Sequence, residues 1–191
     1  MIKAINKMTD QPNDKAVQIA TLAGGCFWCI ESAFNMVNGV ISAKPGYMGG
    51  HTTAPTYEEV CTGKSGHAEV VQLEFDSSVI SYREILEVFF SLHNPTQLNR
   101  QGNDIGTQYR SEVFTHDVQQ QEVALAIIEE INQEQLFDDS IVTQVSPAVT
   151  FYCGEDYHHN YFENNPENQY CQAVVSPKLA KFRKTFVAKL K

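Results

Sequence analysis

No apolar run in the 191 residues approaches the length that crosses a bilayer, so no membrane-spanning helix is expected. Basic residues are few: 14 Lys and Arg face 23 Asp and Glu, a net charge of −9. That balance argues against nucleic acid and against anionic membrane surfaces. The first ten residues carry neither a sustained apolar segment nor a cleavage signature. Five cysteines, an odd count at irregular spacing, suit a reducing compartment better than a disulfide scaffold, which points to the cytoplasm. Metal ligands in a chelating pattern are also lacking. Cys61, Cys153 and Cys171 form no second short cysteine pair, and adjacent His158 and His159 would point about 100° apart on a helix, so no metal is expected. Gly63-Lys64-Ser65 resembles part of a phosphate loop, but Glu58 stands where the first glycine is needed. Repeats and low-complexity tracts are absent.

What is present is enough for one core. With 42% hydrophobic residues, the chain is expected to form a loose polar leader at 1–15 and a single domain at 16–191. Residues 17–23 and 67–76 read as strands, as do 109–115 and 141–151. Ser81 and Glu84 form a capping-box pattern ahead of a helix carrying Tyr82, Ile85, Leu86 and Phe89 on one face, which Asn94-Pro95 ends. A second helix starts near Val118, and a basic amphipathic helix is expected over 177–191. Residues 47–56 and 99–108 read as loops. The interleaving predicts an α/β or α+β sheet with packed helices.

The densest chemistry lies at Gly25-Cys26-Phe27-Trp28-Cys29. A strand precedes it, Gly24-Gly25 supplies a turn, and Phe27, Ile30, Phe34 and Val37 follow at helical spacing. Cys26 is therefore expected at a helix start, where free N–H groups and the dipole favour a thiolate and lower its pKa. A buried structural cysteine is the bland reading, and the second thiol three residues on counts against it.

Between 67 and 75, a period of two puts Glu69 on one face with Val71, Leu73 and Phe75. A carboxylate drawn out of water has a raised pKa and suits a general acid. On spacing alone, a strand-end glutamate that reaches solvent and pairs with lysine stands equally well. Tyr47, Tyr57 and Tyr109 lie in or beside loops, where a hydroxyl can donate to a substrate oxygen or simply edge the core.

Six segments taken together resemble the peptide methionine sulfoxide reductases of type A. They are GGCFW at 24–28, GYMGG at 46–50, PTYEEVCTG at 55–63, GHAE at 66–69, QGNDIGTQYR at 101–110 and NNP at 164–166. The resemblance implies a two-layer α/β fold with a ferredoxin-like mixed sheet, long functional loops and no bound cofactor. It implies Cys26 as nucleophile, Phe27 and Trp28 as the pocket for the substrate S-methyl group, and Glu69 as the acid that protonates the sulfoxide oxygen. Tyr57 and Tyr109 would bond that oxygen, and Asp104 would support the site. The implied substrate is the S epimer of methionine sulfoxide, free or in proteins, and the implied electron donor is thioredoxin or another dithiol. A monomer is expected.

The chain departs from the family pattern in its other thiols. Many relatives carry glycine at the position of Cys29 and two cysteines in a glycine-rich tail; here Cys171 alone precedes the basic segment. Cys29 lies one helical turn from Cys26, a Cα separation of roughly 5–6 Å that a disulfide can bridge. Cys171 would need a flexible loop to reach the site. Either thiol can resolve a sulfenic acid on Cys26, or both can act in relay; Cys171 is preferred and Cys29 kept beside it. Cys61 is expected to be a buried packing residue, and Cys153 is given no role. Two other functions compete: a general thiol-disulfide oxidoreductase using Cys26 and Cys29, and a binding module for oxidised methionine with an inert Cys26. The acid and the tyrosine donors favour sulfoxide reduction, since disulfide exchange has no oxygen to protonate.

Overall fold

The computed structural model describes residues 16–191, so the leader read at 1–15 lies outside the described residues. The first strand is β1 (Val17–Gly24), and the helical spacing after it becomes α1 (Phe27–Asn35). A short α2 (Tyr57–Cys61) separates β2 (Val40–Met48) from β3 (Ala68–Asp76), and α3 (Tyr82–Leu92) follows. A hairpin of β4 (Arg100–Gln101) and β5 (Asp104–Ile105) interrupts the polar loop before β6 (Ser111–Thr115). Then come α4 (Val118–Gln133), β7 (Gln144–Pro147), β8 (Tyr152–Cys153), α5 (Tyr161–Asn164) and α6 (Ser176–Thr185).

The path β1-α1-β2-β3-α3-β6 gives neighbours β6-β1-β3-β2, all antiparallel, which is the ferredoxin-like arrangement. β8 extends the sheet beyond β2, and β7 pairs parallel with β6, making the sheet mixed. Helix starts are set locally. Thr56 with Glu59 and Ser81 with Glu84 form reciprocal capping boxes at α2 and α3.

One face of the sheet packs on α1 and α3, burying Leu22, Phe34, Leu73, Phe75, Ile85 and Phe89. Truncating one of those phenylalanines to alanine costs about 3–5 kcal/mol. The opposite face carries a smaller cluster of Ala23, Met48, Ala68, Val70 and Phe114, covered by Ala148 and Phe151. Glu69 lies at the α1 end of β3, on the larger core's face.

Several expected boundaries move. Tyr47 and Met48 belong to β2, paired with Glu69 and Ala68, rather than to a loop. Pro45 and Gly46 hide that strand in sequence, yet Gly46 is needed there: an added Cβ would sit 2.4 Å from the Tyr152 carbonyl oxygen. The strand expected over 141–151 shortens to β7, which pairs only with residues 112–115 of β6. The closing helix stops at Thr185. Phe186 leaves helical geometry (φ −112°, ψ 23°) so that Leu190 can bridge to Val37, with a separate turn at Val187–Lys189 between them. No helix among the described residues is long and apolar enough to cross a membrane.

Candidate active site

Cys26 caps the start of α1 at the turn made by Gly24 and Gly25, the latter at φ +90°, a conformation glycine adopts without strain. Its sulfur opens on a cavity of about 280 Å³ lined by Cys26, Phe27, Trp28, Tyr57, Glu69, Asp104, Tyr109, Asn168 and Tyr170. The structure thus brings together all seven residues read as nucleophile, acid, donors, support and pocket. Cys29 and Cys171 lie behind that wall, both buried.

Glu69 is buried, and its Oε2 accepts the backbone N–H of Phe27 at 3.1 Å. Burial pushes its carboxyl well above the ordinary range, and neighbouring Cys26 pushes the same way; the Phe27 bond offsets only part of this. At 1% exposure Glu69 does not reach solvent, and no cation among the described residues pairs with it. Tyr57 and Tyr109 keep their protons for the same reason: burial, then the nearby Glu69, raises both phenols. Three neutral O–H groups, those of Glu69, Tyr57 and Tyr109, therefore line the cavity.

Cys26 departs from expectation. Its sulfur does receive the backbone N–H of Trp28 and lies within reach of the Tyr170 hydroxyl, both of which lower its pKa. Burial outweighs them, and the Cys29 thiol beside it adds to the rise, so Cys26 is held well above its ordinary range. Cys29 moves the other way, chiefly because Cys26 donates to its sulfur. At neutral pH Cys26 is therefore a protonated thiol, with a second thiol in hydrogen-bond contact.

Tyr170 was missed in the sequence. Its hydroxyl donates to Asp104 Oδ2 at 2.6 Å, and its ring meets Trp28 edge-on at 5.9 Å. The signal was adjacency to Cys171, a position read for its sulfur alone. Asn168, also missed, accepts the Cys171 N–H and donates to the Tyr161 hydroxyl. Cys171 itself starts a π-helical turn (Cys171–Val175) that runs directly into α6, fully buried among Val175 and Leu179. It is not on a flexible loop, because Val175, Leu179 and Phe182 anchor that segment in the core. Cys61 is exposed rather than buried and bonds to the Tyr57 hydroxyl. Cys153 is exposed, 3.5 Å from His159 Nε2, while His158 turns inward against Trp28. The two histidines point apart, as their adjacency predicts.

Residues 18–190 match the family described as peptide methionine sulfoxide reductase. The chain is 54% identical over 175 residues to the peptide methionine sulfoxide reductase MsrA of Saccharolobus solfataricus, covering 92% of this chain and 98% of that one. It is 50% identical over 182 residues to the MsrA of Polynucleobacter asymbioticus, covering 95% of each. Among solved structures, it is similar to Mxr1 from Saccharomyces cerevisiae in reduced form, with a TM-score of 0.75 at 32% identity over 86% of this chain and 94% of that one.

Proposed function

Since the chain belongs to the peptide methionine sulfoxide reductase family and is a thiol-dependent reductase of methionine sulfoxide, we propose that Cys26 reduces the S epimer with Glu69 as proton donor. The observation that carries this is the buried, protonated Glu69 facing Cys26 and two neutral tyrosines across one small cavity. A sulfoxide sulfur is a poor electrophile until its oxygen is hydrogen-bonded or protonated, and this cavity is built to do both.

The S-methyl group sits against Phe27 and Trp28, with the oxygen toward Glu69, Tyr57 and Tyr109. Glu69 gives its proton to that oxygen and takes the one Cys26 gives up, so a thiol of high pKa still becomes a nucleophile. The oxygen passes to Cys26 as a sulfenic acid, and methionine leaves. The thiol is oxidised by two electrons and the sulfoxide reduced by two. A second thiol attacks the sulfenic sulfur, forming a disulfide and releasing water.

Cys29 and Cys171 are the resolving candidates, and proximity supports both. Cys29 is in hydrogen-bond contact with Cys26, and Cys171 is close enough to Cys26 for its charge to raise the Cys171 pKa after burial has done so. Thioredoxin or another dithiol then returns the thiols, and no bound cofactor enters the cycle. Asp104 holds Tyr170 over Cys26. We assign the activity to residues 16–191 as one domain, acting as a monomer in the cytoplasm; five free cysteines are in keeping with a reducing compartment.

The test is to add one equivalent of sulfoxide peptide, without reductant, to protein carrying Cys29→Ser and Cys171→Ser. A sulfenic acid trapped on Cys26 by a dione reagent, with methionine released, is the expected result. Methionine released with no oxidised Cys26 would overturn the route.

A further inference from the structure

Tyr109 is held differently from the other two O–H groups of the cavity. The Glu69 carboxyl is bonded by the Phe27 N–H, and the Tyr57 hydroxyl is bonded to Cys61. Among the described residues nothing bonds the Tyr109 hydroxyl, so the phenol is placed by the backbone of the turn Thr107–Tyr109. That turn closes on two local bonds, Tyr109 N–H to the Gly106 carbonyl at 3.0 Å and Arg110 N–H to the Thr107 carbonyl at 3.2 Å. One short 3₁₀ turn bonded only to itself is a weak anchor for a ring.

The stronger anchor is the next side chain. Arg110 Nη1 donates to the Thr107 carbonyl at 3.0 Å and to the Gly66 carbonyl at 3.2 Å. Its Nε donates to Glu112 Oε2 at 2.6 Å, in an ion pair with little exposure on either side. The guanidinium also lies against Gly49, just past β2, where an added Cβ would stand 2.8 Å from Nη2. One planar side chain thus joins the end of β2, the turn before β3, the Tyr109 turn and β6.

The neighbours of Tyr109 reach the same way. Gln108 Nε2 donates to the Cys61 carbonyl at 3.3 Å, and Thr107 Oγ1 to that of Gly63 at 3.4 Å. The carbonyls of residues 61, 63 and 66 all belong to the stretch that leads from α2 to β3, and so from Tyr57 to Glu69. Tyr109 is therefore registered against both other O–H groups by three ties, of which the Arg110 bond is the shortest and the only charged one. Charge-assisted bonds in a fixed fork are the strong kind. A lysine offers a point charge on a flexible stem and cannot make the same set.

We propose that Arg110 is a positioning residue that sets the Tyr109 phenol toward the sulfoxide oxygen by tying the Thr107–Tyr109 turn to the Gly66 carbonyl. The proposal rests on the sulfoxide-reductase reading and adds to it the group that keeps this donor in register with Glu69.

Arg110→Lys keeps a cation beside Glu112 and loses the fork. Its single-turnover rate at saturating sulfoxide peptide should fall by about tenfold, because a displaced donor no longer meets the oxygen. The half-saturating concentration should stay within about twofold, since Phe27 and Trp28 lie on α1, which Arg110 does not touch. In a Tyr109→Phe background the same change should cost less than about twofold, because the donor it positions is already gone. Equal losses in the two backgrounds, or lost affinity in place of lost rate, would show that Arg110 does not act through Tyr109.

A second readout needs no activity. With 3-fluorotyrosine at position 109, the fluorine resonance of the substrate-free protein should shift or broaden in Arg110→Lys, while the same label at Tyr82, on α3, should not move. An unmoved resonance at 109 contradicts the assignment. If Arg110→Lys does not fold, Glu112→Gln decides: it weakens the guanidinium's anchor and should move the 109 resonance, and a resonance unchanged there contradicts the proposal equally. A wild-type protein that reduces no sulfoxide refutes the reductase reading instead, and the label at 109 still tests the tie.

Discussion

The backbone N–H of Phe27 donates to Glu69 Oε2, so the carboxyl proposed as the acid is tied to the residue that follows the proposed nucleophile, Cys26. Strand β3 and helix α1 meet at that bond, and the distance between acid and thiol is set by the fold rather than by flexible side chains.

Glu69→Gln keeps the acceptor for Phe27 but has no proton to give. The single-turnover rate should fall by about 10²–10⁴-fold, with substrate affinity within a few-fold. The wild-type rate should hold through neutral pH and decline as pH rises through the raised Glu69 pKa, since the protonated form is the active one. The glutamine variant should lack that limb. Equal rates in the two proteins across about pH 5 to 9 would remove Glu69 from the acid role.

Tyr170→Phe removes the hydroxyl that lies against Cys26 and Asp104. That contact lowers the Cys26 pKa, so peptide-resolved alkylation of Cys26 should shift to higher pH in the variant. An unchanged profile would show that the hydroxyl does not act on the sulfur.

Cys171→Ser should still yield one methionine per protein in a single turnover, while steady-state turnover with thioredoxin falls by about tenfold or more. Cys29→Ser should slow the loss of the sulfenic acid. Full turnover in Cys171→Ser together with failure in Cys29→Ser would assign the resolving step to Cys29 alone. The π-helical turn at Cys171 has an irregular bonding pattern of the kind found at functional positions. Its opening is the expected accompaniment of disulfide exchange there.

Glu31, buried on α1, has its carboxyl raised to about 7, first by burial, and its Oε2 has no hydrogen-bond partner among the described residues. A folded pKa above the unfolded value means the folded state holds the extra proton between about pH 4.5 and 7, so this group's contribution to stability falls as pH rises through that window. Glu31→Gln keeps an acceptor for the Asn160 N–H and carries no charge. It should raise stability at pH 8 by up to about 3 kcal/mol and flatten the decline, as measured by denaturant unfolding. A variant less stable than wild type at pH 8 would contradict this.

Much of this was legible in the chain, for local reasons. The capping box at Ser81 and Glu84, the alternation that commits Glu69 to the core face and the turn before Cys26 each depend on residues within a few positions of one another. What was not legible depends on distant partners. Strand β2 was hidden because Pro45 and Gly46 break the pattern, and only the close approach of Tyr152 explains the glycine. The Cys26 pKa was misjudged because a helix start is visible in sequence, whereas the burial that outweighs it comes from elements far along the chain. Tyr170 and His158 join the site from beyond residue 150, where spacing carries no information about the pocket at residue 26.

The most direct test is single turnover of the reduced protein with separated S and R epimers of a methionine sulfoxide peptide. Methionine from the S epimer alone, with stoichiometric loss of free thiol and none formed by Cys26→Ser, is the predicted result. Methionine from neither epimer, or equal yields in Cys26→Ser, would contradict the account.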